Sequence, residues 1–413
     1  MTATTVPTQT AAGRGHLYAV DVVRFLTVAG VIAVHSTSLT VGSTARGKVA
    51  AGVLLTLAHV TRSVFLFLTA FVLGYRYRGE VVNKRSFWRR RYWLVAVPYV
   101  VWSLIYCLAD GHLTSPQAVL ARFVLDLFTG GARFHLYFLL ITFQLYAVFP
   151  WVLAWVKRAN PWRLLIGSIV VQLLFTAGTH YWAGAPSVLG LVLHHPGSWL
   201  YSYQLYVIAG VLAALHMDAV TEWVRSHGWL IAGFTVLSVA VGLASYGLDL
   251  RVLGMSPVKA GEVFQPAVVL EGVAAIAAQY AVGLKVDRFA GARLRWRLNT
   301  SSDVSFGVYL AHPLLLQGVL AVTAAVGLDG ALSGLSPALQ LAMVVVVLVP
   351  AVYAATGAGM VLVRRTRLSL ALAGRKGRMP AFEEKAGPSR PVSDQAAAAS
   401  NQAAGLKPAV GSF

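Results

Sequence analysis

Arg24 and His35 are the residues in this sequence whose types and spacing most directly suggest chemistry. In a helix, the eleven steps between them turn through roughly 1,100°, three turns plus about 20°, so both side chains leave the same face. At about 1.5 Å per residue they stand roughly 16 Å apart along the axis. One face therefore carries a fixed cation and, further along, a titratable base. The same two residues also fit a structural arrangement, with Arg24 paired to Asp21 one turn earlier and His35 a hydrogen-bonded core histidine.

His59 and Arg62 sit at i and i+3, on one helix face. Arg62 reads either as a second anion contact or as half of a structural salt bridge, with Glu271 a candidate partner. His135 opens a hydrophobic block, and His312 precedes Pro313, where a histidine can satisfy the carbonyl that proline frees. Asp303, followed by Ser305, reads as a helix cap or first-turn acid in preference to a catalytic carboxylate. The adjacent His194 and His195 lack a third ligand, so no metal is expected. Cys107, the single cysteine, lies in an apolar block and offers neither a disulfide nor paired redox chemistry. The run Phe87 to Trp93 contains Arg89, Arg90 and Arg91 between aromatic residues. It serves as an interfacial anchor and orientation signal, or as a grip for phosphates.

These residues need elements to hold them, and composition says which kind. The chain of 413 residues is 57% hydrophobic and 12% charged, too apolar for a soluble domain. Continuous apolar blocks of about 20 residues recur, long enough for a hydrocarbon core and unlike the alternation of a β-barrel. The expected fold is an all-α integral membrane bundle of about ten transmembrane helices. These fall near 17–40, 50–75, 88–110, 134–156, 161–182, 199–217, 228–247, 262–284, 300–326 and 337–363. A helix near 116–130 between spans lies at the interface or forms an ordinary loop helix.

The net charge of +19 follows position and not a nucleic-acid stripe. The loops on one side carry most of the Lys and Arg, while the other side has only Arg46, Lys48, Arg122, Arg133, Arg251 and Lys259. The positive-inside rule then places both termini in the cytoplasm, and the protein in the plasma membrane among its lipids, with no nucleic-acid partner. Three segments are expected: a cytoplasmic leader over 1–14, a membrane domain over 15–365 and a disordered basic to polar tail over 366–413.

Arg24, ten residues and then His35, on a helix beginning Leu17-Tyr18-Ala19-Val20-Asp21, resembles the signature of the acyltransferase-3 family of membrane O-acyltransferases. Further similarities follow in the family's order: Phe65 to Leu73, the arginines before Pro98-Tyr99, the block His135-Leu136-Tyr137-Phe138-Leu139, and Ser305 to Pro313. Together they cover roughly residues 15–365 and resemble the stand-alone type without an extracytoplasmic hydrolase-like domain. Thr69-Ala70, Tyr137 and Val95 depart from the usual family residues.

The resemblance implies transfer of an acyl group, often acetyl, from a cytoplasmic acyl-CoA co-substrate, with no permanently bound cofactor. The acceptor is a hydroxyl of a saccharide, glycolipid, cell-wall component or secondary metabolite. His35 is then the base, since imidazole removes a hydroxyl proton near neutral pH. Arg24, Arg89, Arg90 and Arg91 would meet the donor phosphates, while Arg62, His135, His312 and Glu271 would line or support the substrate site. A transporter or flippase for a lipid-linked saccharide would use the same polar residues as a pathway, and a third possibility makes them helix glue. Oligomeric state is not legible.

Overall fold

The computed structural model describes residues 16–110, 115–182 and 196–376. The leader, His194 and His195, and the chain past Lys376 lie outside the described residues. Every assigned element is helical. The helices that build the bundle and its edges are, in chain order, α1 (Tyr18–Leu39), α2 (Lys48–Ala58), α3 (Thr61–Tyr77), α4 (Lys84–Ala109) and α5 (Pro116–Thr129), with shorter turns between some of them. Then follow α6 (Tyr137–Val156), α7 (Pro161–Trp182), α8 (Gln204–Leu215), α9 (Met217–Ser226) and α10 (Gly228–Arg251). The chain continues through α11 (Pro266–Phe289), α12 (Ala292–Ala325), α13 (Pro337–Met343), α14 (Val349–Val363) and α15 (Ser369–Ala373).

Among the described residues, nine helical runs are long and apolar enough to cross a bilayer, and ten if the bent pair around α8 and α9 counts as one span. The protein is a multi-pass membrane bundle. The sixth expected span, 199–217, corresponds to Leu200–Leu215, about 24 Å at helical rise. There the chain turns by 95° into α9. Asp218, Glu222 and Arg225 give α9 a polar side, which suits an interfacial helix. The 116–130 segment is a helix, started by the Ser115 hydroxyl accepting from the Ala118 amide and by Pro116, and stopped by left-handed Gly130.

Small residues let the inner helices approach. Ala70 and Gly74 on α3 face Gly210 and Ala214 on α8, each pair four residues apart, and a Cβ on Gly210 would fall 2.4 Å from the Phe67 carbonyl. At one end of the bundle Lys157 donates to the Tyr77 carbonyl at 3.2 Å, and Arg295 stands 5.2 Å over the Tyr18 ring. The basic loops meet at that end. At the other end, His180 bridges Asp249 at 2.9 Å and Glu262 at 2.8 Å, joining α7 to α10 and the following loop.

Two boundaries differ from the sequence reading. The helix expected from 300 begins at Ala292, so Asp303 sits inside it and is no cap. Its carboxylate binds Arg364 at 2.7 Å and approaches Arg375 at 3.7 Å. The bundle also extends past 365. Residues 366–376, assigned to the tail, carry α15 and pack between α4 and α12, where Trp102 donates its indole N–H to the Leu372 carbonyl at 3.0 Å. Pro98 supplies no amide for the Leu94 carbonyl, and Gly374 packs against that carbonyl with φ +62°. A Cβ there would lie 2.6 Å from the Phe306 ring and 2.8 Å from the Leu94 oxygen.

Candidate active site

Arg24 and His35 both face α12, as their helical spacing requires. Arg24 Nη1 donates to the Ser302 hydroxyl. His35 stacks on His312, ten residues further along the same partner helix, with ring centroids 5.4 Å apart and planes at 24°. Asp21 is 3.6 Å from Arg24, but its other oxygen engages His16. That hydrogen bond raises the His16 pKa above its ordinary value. Arg24 is therefore not simply neutralised within its own helix.

His35 opens onto a small, partly open cavity walled by His59, Arg62, Phe134, His135, Tyr137 and Tyr309 among others. These side chains come from α1, the break after α2, the first turn of α3, the residues leading into α6 and its first residue, and α12. The His135 ring stands 5.4 Å from His312 and 6.5 Å from His35. Its loop is pinned by the Tyr309 hydroxyl, which donates to the His135 carbonyl at 2.5 Å. Tyr106 ties α4 to the same region by donating to the Leu310 carbonyl at 2.6 Å.

His312 fulfils the expectation about Pro313. Proline deprives the Tyr309 carbonyl of its helical donor, and His312 Nδ1–H donates to that oxygen at 2.8 Å. The bond fixes the tautomer, so Nε2 is left as an acceptor. That atom is buried without a partner, as are both ring nitrogens of His135 and Nδ1 of His59. Among the described residues no carboxylate lines the cavity. The chemistry that the described lining offers is imidazole acid–base chemistry beside the permanent cation Arg62. No group of histidines and carboxylates among the described residues is arranged to hold a metal ion.

The other expected residues divide. Arg89 and Arg90 are exposed at the start of α4, whereas Arg91 is half-buried with an unpartnered Nε. Glu271 does not belong to the cavity and does not pair with Arg62. The turn of α11 presents its buried carboxylate to Gly242 on α10 instead. Both Glu271 oxygens lack a hydrogen-bond partner. Sequence reasoning missed Ser302, Tyr309, Arg364 and Arg375. Only Tyr309 carried a signal, since it stands one turn before His312.

A family model described as an acyltransferase domain matches residues 17–357. No curated protein and no solved structure matches the chain. The match spans α1 through most of α14 and so contains Arg24, His35, Arg62, His135 and His312. The chain belongs to the acyltransferase-3 family, and is a membrane acyltransferase.

Proposed function

We propose that this acyltransferase moves an acyl group, acetyl in the simplest case, from an acyl-CoA at the basic end to an acceptor hydroxyl in the His35 cavity. The basic end is cytoplasmic, with both termini inside a plasma membrane. The acceptor is a saccharide, glycolipid, cell-wall component or secondary metabolite. The carrying observation is the alignment along α1 and α12, with Arg24 beside Ser302 at one level and His35 against His312 about 16 Å further along.

An extended pantetheine arm is of that length. Arg24, with Arg89, Arg90 and Arg91 at the same end of the bundle, supplies charge for donor phosphates. His35 takes the hydroxyl proton as the oxygen attacks the thioester carbonyl. The carbon–sulfur bond then breaks, and the proton goes to the leaving thiolate. His312, locked by its Nδ1 bond, holds the His35 ring in orientation.

Membranes containing the protein are incubated with acetyl-CoA radiolabelled in the acetyl group, together with cell-envelope and metabolite extracts. Label should pass to an alkali-labile ester in an acceptor-dependent manner. Transport of a saccharide without labelling would overturn the assignment.

A further inference from the structure

We propose that the His35 cavity recognises the acyl acceptor through an anionic group, a carboxylate or phosphate on the saccharide, bound by Arg62. The inference rests on the cavity being the acceptor site.

Arg62 keeps its charge at any physiological pH, and an intramembrane charge needs a partner or a polar cavity. Two other arginines withdrawn from solvent have acids: Arg364 meets Asp303 at 2.7 Å and Arg133 meets Asp110 at 2.9 Å. Arg62 has no carboxylate within ion-pair distance among the described residues, and none lines its cavity. Its neighbours are neutral phenols, Tyr203 and Tyr137, the Tyr137 ring lying 5.5 Å from the guanidinium.

Two independent features agree. The break at His59 and Val60 brings the first turn of α3 to the cavity wall through Thr61 and Arg62. Amides in a first helical turn have no partner inside the helix, and their dipole favours a negative group. The buried His59 Nδ1 and His312 Nε2, without hydrogen-bond partners among the described residues, suit a polar occupant. Donor phosphates belong about 16 Å away beside Arg24, so this anion comes with the acceptor. A neutral sugar would leave Arg62 uncompensated.

The test measures thermal stabilisation of the purified full chain by glucuronate, glucose 1-phosphate and methyl glucoside, without donor. At least one anionic sugar should stabilise saturably where methyl glucoside does not, and the better of the two separates a carboxylate from a phosphate ligand. Arg62→Gln should weaken that binding about tenfold or more. Arg62→Lys, which keeps charge but loses the planar fork, should weaken it less and serves where the glutamine variant does not fold. Equal stabilisation by methyl glucoside, wild-type anion binding in the Arg62 variants, or no response to either anion overturns the proposal. Donor turnover is not read, so anion binding by a protein that transfers no acyl group would refute the acyl-transfer reading alone.

Discussion

His35→Ala should separate catalysis from folding. Among the described residues the His35 ring has ring contacts and no hydrogen bond, so its removal orphans no described partner. The losses are its packing on Phe134 at 4.4 Å and on His312 at 5.4 Å. Two such ring contacts are worth roughly 1–3 kcal/mol together, and the adjoining cavity absorbs part of the change. A melting temperature lower by a few degrees is expected. Removal of a general base costs about 10² to 10⁴ in rate, or roughly 3–5 kcal/mol in the barrier. Initial rates of label transfer from acetyl-CoA, measured on the preparation used for melting, should therefore collapse while the fold survives. His35→Gln should be as inactive, because an amide cannot take the proton. Turnover within about tenfold of wild type in either variant would remove His35 as the base.

Arg24→Lys should raise the donor KM about tenfold with little change in Tm, since lysine lacks the bidentate fork. Adding Asp21→Ala to Arg24→Ala should rescue nothing, and a rescued double variant with normal donor KM would show that the pair is merely structural. Asp303→Ala should lower stability by roughly 3 kcal/mol, because it strips Arg364 of its carboxylate; an unchanged melting temperature contradicts this. In a Cys107→Ala background, cysteines placed in the 78–83 and 158–160 loops should resist impermeant labelling from outside intact cells, and one at 254 should react. Outside labelling of the 78–83 loop would reverse the orientation and move the donor site.

The spans were legible because apolar length alone determines them, and nine runs stand where the blocks lie. The bend after Leu215 was not. Its charged α9 has the composition of a loop, and its helicity depends on an amphipathic setting that a span count ignores. Within the site, the common face of Arg24 and His35 follows from arithmetic within one helix. The meeting of His35 with His135 and His312 does not, because tertiary packing joins residues far apart in the chain. The Arg62 and Glu271 pairing failed for the same reason. Opposite charges on two spans say nothing about the rotation of either helix, and Glu271 turns toward Gly242. The 366–376 segment was assigned to the tail because its basic character outweighed four small or apolar residues, Leu370 to Ala373, that dock.

That docked segment imposes an order on biosynthesis. Trp102 and Leu372 are 270 positions apart, and their bond joins an early span to a segment that follows α14. A chain emerging from the ribosome can insert α4 long before α15 exists, so the groove between α4 and α12 stays unfilled until translation has passed Gly374. A nascent chain stopped at Val363 would contain every described crossing helix and still lack the wedge between α4 and α12. Docking of this segment, and not insertion of the α14 span, is thus the step that joins α4 to α12.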